Sequence, residues 1–237
     1  MSRLKTFTAA LLGAAAVAAM ALPAAAGVVT IESRPYQGIV DTSTLTTSQG
    51  YVNGWNTAFA ANPTAPAGYA TATVADWNGA VNNRSLTSNG VDGNLAFLDQ
   101  ATFTVTAADA GIWAFRVGID FGLGGTLLID NTAIDTKTGN LWWGGNNNYG
   151  ATTQTLAGSI DLGVGTHTLK AYGFEDCCDG GTGGQFLAPG AHDYQDFTTS
   201  LGGAVPEPAG WALMIVGFGG VGAILRRRRA SGAMAAA

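Results

Sequence analysis

Thr102, Thr104 and Thr106 alternate with Ala101, Phe103 and Val105. A period of two is what an extended chain needs when one face is buried and the other meets water. The alternation returns over residues 112–119 and 166–174. Residues 126–129 form a short apolar run between a Gly-Leu-Gly-Gly turn and an Asp130-Asn131 turn. Short strands separated by Gly, Asn and Asp predict an all-β fold, an antiparallel, jelly-roll-like β-sandwich. Composition points the same way: there are 35 glycines, and the Lys and Glu that coat helices are scarce. No long amphipathic helix is expected in the body. Residues 62–66 read as a loop around Pro63 and Pro66, and residues 140–150 hold too many turn formers for one regular strand.

The two ends differ from this middle. Arg3 and Lys5 precede an uncharged apolar stretch over residues 7–22, then Pro23 and Ala24-Ala25-Ala26. These are the parts of a secretory signal, with cleavage expected between Ala26 and Gly27. At the other end, Val205-Pro206-Glu207-Pro208 leads to Trp211, an apolar run to Leu225, and Arg226, Arg227, Arg228 and Arg229. A membrane helix over 209–225 is barely long enough for a bilayer core of ~30 Å. The arginines would hold the 230–237 tail on the cytoplasmic side, and Trp211 would mark the opposite interface. Gly217, Gly219, Gly220 and Gly222 suit close packing against another membrane helix.

The Pro206-Glu207-Pro208 step, Trp211, the glycine-bearing apolar run and the arginine cluster together resemble the PEP-CTERM sorting signal, over residues 205–229. The resemblance implies a Gram-negative bacterium that makes exopolysaccharide. It also implies a membrane-embedded exosortase that cuts near Pro206–Pro208 after signal peptidase has acted. Cys177-Cys178-Asp179-Gly180 is similar to the Cys-Cys-x-Gly subgroup of such proteins. The body over about residues 95–198 resembles the anthrax-protective-antigen insert domain. That likeness rests on the strand ending in Asp120, the Gly-rich turn before residues 126–131, and the later 162–175 stretch. It implies a β-sandwich of adhesins and glycosidases in which two neighbouring Asp residues hold calcium and, through it, a sugar. Here Asp120 is followed by Phe121.

Between the ends, residues 27–204 form the expected extracellular body. It carries fifteen acidic and five basic side chains, a formal charge of −10, which the whole-chain value of −5 hides. An acidic body excludes nucleic acid as a natural partner. It fits a secreted domain or one whose oxygens gather a cation.

Cys177 and Cys178 are the two cysteines. In an oxidising compartment they are expected to form a vicinal disulfide ring, though adjacent Cα atoms lie only ~3.8 Å apart against the usual ~4.4–6.8 Å. The ring would shape the loop or add a ligand platform, with redox or metal chemistry as the other reading. Glu175, Asp176 and Asp179 crowd three carboxylates into five residues; calcium would relieve their repulsion, and a solvated acidic turn is the alternative. Asp92 and Asp120 are further oxygen donors. Trp142, Trp143 and Tyr149 in a Gly/Asn-rich loop form either a sugar-stacking platform or core.

No catalytic signature is present. His167 sits mid-strand and His192 in a loop, with no nucleophile elbow, zinc-protease helix or phosphate loop. The chain therefore reads as a non-enzymatic surface or exopolysaccharide-matrix protein. The rivals are a calcium-assisted carbohydrate-binding module, a glycoside-active enzyme and a passive matrix protein.

Overall fold

The structure, a computed structural model, describes residues 26–82, 94–143, 148–150, 152–176 and 181–198. The signal segment before Ala26, Asp92, the Cys177-Cys178 pair, Asp179 and the whole 205–229 sorting segment lie outside the described residues. So does the expected membrane helix over 209–225.

The predicted sandwich is present. One sheet has the order β2 (Thr71–Val74), β1 (Ala26–Pro35), β4 (Leu95–Val105), β9 (Gly165–Glu175), β6 (Gly125–Ile129), β7 (Thr132–Lys137). The other runs β11 (Gln195–Thr198), β3 (Asp76–Asn82), β10 (Gly181–Leu187), β5 (Gly111–Ile119), β8 (Thr155–Leu162). The strand pairs are antiparallel. Alternation sorts the side chains as expected. Phe97, Ala101, Phe103 and Val105 of β4 point inward toward Trp113, Phe115, Val117 and Ile119 of β5, while Thr102 and Thr104 point out. Phe103 meets Trp113, Phe115 and Phe197 at ring-centre distances of 5.5, 5.4 and 6.0 Å. Burial of each such ring stabilises the sandwich by ~1.5–3 kcal/mol. One polar chain crosses this interior: Trp77 Nε1 donates to Thr182 Oγ1 (2.7 Å), which donates to Asp99 Oδ2 (2.8 Å).

The turn at Asp130-Asn131 forms as predicted, with positive φ angles of 48° and 69°. Two such residues between paired strands make the hairpin turn whose twist matches its strands. Residues 138–140 and 142–154 contain no strand among those described.

The expectation of no helix in the body is corrected. Helix α1 spans Ser48–Ala61, capped by Thr47, whose side chain accepts from Gly50 N at 3.1 Å. It stops before Pro63. Its buried residues are Tyr51, Gly54, Trp55 and Ala58, the i, i+3, i+4, i+7 stripe of an amphipathic helix. The stripe passes unnoticed in sequence because two of its four members are Gly and Ala, and the helix also carries two Asn. Packing supplies what propensity lacks. The helix covers the outer face of the six-stranded sheet, where it buries Ala96, Leu128, Tyr172 and Phe174. A Cβ on Gly54 would stand 2.8 Å from Phe174 Cζ, so this close seat requires glycine. Arg34 of β1 locks the far end. It lies under Trp55 and Phe59 and donates to Asn62 O (2.9 Å), Ser33 O (2.6 Å) and Glu32 (3.2 Å). The sandwich therefore takes in β1 to β3 and α1, all upstream of residue 95.

Candidate functional site

At the end of the sandwich where β5 and β9 finish, three segments meet. Phe121, just after β5, forms a two-way backbone bridge with Leu141 (2.7 and 3.0 Å). Gly122 N donates to Glu175 Oε2 at 2.8 Å, and Asp120 N donates to Gly181 O at 3.3 Å. Both ends of the 175–181 loop are therefore tied to residues 120–122. The bridge brings the Trp142-Trp143 segment to the same place.

Fixed this way, the predicted residues fall into different environments. Asp120 and Glu175 are buried, whereas Asp176 is exposed and its carboxylate leans on Gly122. Charge at this end is felt by Tyr36, whose hydroxyl is pushed up to about 12 by burial and then by the charges of Asp176 and Glu175. The phenol thus stays neutral and available as a donor near the carboxylates. Among the described residues, no group of three or more His, Cys, Asp or Glu side chains is gathered closely enough to hold a metal ion. Asp179, the third carboxylate of the loop, lies outside them.

The two tryptophans do not act as a pair. Trp142 is 60 % exposed, while Trp143 is buried. Adjacent residues of an extended segment point to opposite sides, so one indole faces solvent and the other packs inward. Trp143 lies flat over Gly118 on the outer face of the five-stranded sheet, where any side chain would collide with its ring. Its Nε1 donates to Asn148 O at 2.9 Å, and its ring meets Tyr149 at 5.1 Å. Trp143 therefore anchors the loop and leaves Trp142 presented from a fixed base.

Sequence reasoning did not foresee an open cleft of about 460 Å³ lined by Thr42, Ser43, Leu45, Thr46, Gly122, Leu123 and Thr138. One wall is the short 3₁₀ turn Thr42–Thr44, capped by Asp41, whose carboxylate the Ser43 hydrogen bonds hold below the usual range. The other wall is held by Tyr51 of α1, whose hydroxyl donates toward Leu123 O (2.8 Å) and Lys137 O (3.2 Å). Burial pushes that hydroxyl up to about 12. Four hydroxyl side chains and two leucines give the cleft hydrogen-bonding and apolar surface together, which is the character of a polyol site. Gly122 belongs both to the cleft and to the segment that carries the bridge to Leu141.

A second feature found only in three dimensions lies on the outer face of the five-stranded sheet. Arg116 of β5 packs on the rings of Tyr149 (4.5 Å) and Tyr194 (3.8 Å). Its Nε and Nη2 both donate to Gln185 Oε1, at 2.8 and 2.5 Å. Gln185 Nε2 in turn donates to Asp196 Oδ1 at 2.6 Å. The outward position of Arg116 follows from alternation in β5; Tyr194 has no sequence signal.

The histidines are away from this end. Roughly 26 Å away along β9, His167 Nδ1 faces Asp130 Oδ2 at 2.5 Å and Nε2 faces Gly163 O at 2.9 Å. His192 is exposed in the loop before β11.

No family model matches the sequence, and no curated protein matches it. Among solved structures, the chain is similar to the PA14 domain of the MpAFP antifreeze protein at 14% identity, covering 75% of this chain and 89% of that one, with a TM-score of 0.45. It is similar to the PA14 sugar-binding domain from an RTX adhesin at 14% identity, covering 73% and 96%, with a TM-score of 0.38. It is similar to the epithelial adhesin 9 A domain from Candida glabrata, in complex with Galβ1-3GlcNAc, at 7% identity, covering 72% and 86%, with a TM-score of 0.43. Likeness this remote assigns no family.

Proposed function

We propose that this chain is an exported, non-catalytic protein of the cell surface or exopolysaccharide matrix, and that its sandwich binds polysaccharide at the Trp142 end. The observation that carries this reading is an indole 60 % exposed on a buried, hydrogen-bonded neighbour; a hydroxyl-lined cleft includes Gly122, next to the Phe121–Leu141 bridge that holds the indole's segment. A large exposed aromatic loses little entropy when a ligand covers it, because its base is already fixed. The C–H-rich face of a sugar suits the indole, and the cleft hydroxyls of Thr42, Ser43, Thr46 and Thr138 suit a sugar's own hydroxyls.

Calcium belongs to the proposal as a cofactor. Asp176, exposed beside Gly122, would supply carboxylate oxygens, and Asp179 falls in the same loop by sequence. The delivery route is read from the two ends. Signal peptidase would cut at Ala26–Gly27, the helix over 209–225 would hold the chain in the membrane, and exosortase would cut near Pro206–Pro208. A catalytic role has little support in the titratable groups, since both ring nitrogens of His167 face backbone or carboxylate acceptors far from the cleft.

The test uses the protein released by its own cells. Affinity electrophoresis through gels containing those cells' exopolysaccharide is expected to retard it, with the retardation reduced by EDTA. Equal mobility in gels with and without polysaccharide contradicts the binding role. Mass spectrometry of the same material is expected to find an N-terminus at Gly27 and a C-terminus near Pro206–Pro208. An intact Ala237 on released protein contradicts the sorting route.

A further inference from the structure

Two arginines of the body are stacked on aromatic rings, and they differ in one respect. Arg34 is buried, and its guanidinium reaches two backbone carbonyls and a carboxylate as well as two rings. That is a structural staple with its edges used. Arg116 is half-exposed, and its hydrogen bonds go to one atom, Gln185 Oε1. A guanidinium has five N–H donors, so Nη1 and one N–H of Nη2 have no acceptor among the described residues. The group is nevertheless held still by contacts with the Tyr149 and Tyr194 rings and by Gln185 at its edge. An immobilised donor fork with unused hydrogens is a prepared binding group, because its ordering cost is met before a ligand arrives.

The acceptor half of a site stands beside it. Asp196 of β11 uses Oδ1 on Gln185, and it is half-exposed with Oδ2 carrying no hydrogen bond among the described residues. Arg116 and Asp196 flank Gln185 in register, across two strand spacings. At ~4.8 Å per spacing, their backbones are ~10 Å apart and their side chains lean toward the shared glutamine. We propose that this face is a second sugar-binding surface, in which one neutral sugar ring bridges the free edge of Arg116 and the free oxygen of Asp196 beside Tyr194. Sugar hydroxyls both accept and donate, so one ring satisfies a guanidinium and a carboxylate together.

Charge decides between a neutral and an acidic sugar. Asp196 sits at the site itself. Burial, followed by the charges of Asp196 and, more weakly, Asp76, raises the Tyr149 hydroxyl despite the opposing pull of Arg116. The body as a whole carries −10. A uronate or sulfate would gain one guanidinium and meet the Asp196 carboxylate, whereas a neutral ring uses both signs. The surface is joined to the first one through the Trp143–Tyr149 ring contact of 5.1 Å, so one polysaccharide chain has two holds on the domain. This inference rests on the reading of the domain as a polysaccharide binder.

The test is affinity electrophoresis of the full chain, with the producing cells' exopolysaccharide separated into neutral and uronate-containing fractions. The wild type is compared with Arg116→Lys, Asp196→Asn and Trp142→Ala, and melting temperatures are measured alongside. Arg116→Lys and Asp196→Asn are each expected to weaken retention by the neutral fraction about fivefold, with Asp196→Asn leaving melting unchanged. Retention untouched by both variants but lost in Trp142→Ala removes the second surface and leaves the proposed function standing. Retention of no protein by either fraction removes both. Tighter retention by the uronate fraction overturns the neutral ligand. Loss of retention that tracks loss of melting temperature in both variants identifies Arg116 as a staple only and also overturns the proposal.

Discussion

The two outer faces of the sandwich start from the same alternating pattern and end differently. On the six-stranded sheet, the outward Ala96, Leu128, Tyr172 and Phe174 are sealed under α1, and Arg34 closes the seal with its edges engaged. On the five-stranded sheet, the outward positions are Ala114, Arg116 and Gly118 of β5. Their cover is a loop and two tyrosines, with polar edges left toward solvent. A face that is covered for stability uses up its hydrogen-bonding groups, and a face that serves recognition keeps some in reserve.

Substitutions at the two arginines break this comparison most sharply. Arg34→Ala strands the buried Ser33 carbonyl, the part-buried Asn62 carbonyl and the Glu32 partner. It is expected to cost about 3 kcal/mol of unfolding free energy in a urea titration. Arg116→Ala removes two ring contacts on a half-exposed face, and about 1 kcal/mol is expected in the same titration. Equal costs at the two positions would show that both faces are structural. Gly54→Val comes between them. The added methyls meet Phe174, Leu45 and Val40, and about 2 kcal/mol is expected from overpacking, with loss of helical ellipticity as α1 lifts.

The smallest effect is set by pH at the opposite end of β9. Burial of His167 works against its charge, but hydrogen bonds to Asp130 and to Gly163 O, with the Asp130 charge, outweigh it and raise its pKa. Two acceptors on the two ring nitrogens need the imidazolium form. The stabilisation is therefore complete below about pH 6.5, the unfolded value, and is lost as pH rises through the higher folded value. Melting temperatures measured from pH 5 to 9 are expected to fall across that window in the wild type. In His167→Gln they are expected to be flatter there; the same fall in both proteins would remove the assignment.

What could be read from the sequence follows the physics of each element. The Thr/apolar alternation at 101–106 and the Asp130-Asn131 turn are local signals, and both appear as strand and turn. Helix α1 is hidden in the sequence because its buried stripe contains Ala58 and Gly54, the latter suited to its close seat on Phe174 and not to hydrophobicity. Trp142 and Trp143 stand out in the sequence, yet only the backbone direction after Leu141 decides which of them faces solvent. The Arg116 stack joins residues 116, 149, 185, 194 and 196, and no spacing rule gathers those positions.

The central claim is that a solvent-facing indole at residue 142 holds polysaccharide. Its most direct test is the dissociation constant of the exopolysaccharide for Trp142→Ala against the wild type, at equal melting temperature. The account predicts at least a tenfold weaker complex, about 1.4 kcal/mol or more. Unchanged affinity in a folded Trp142→Ala protein would contradict it.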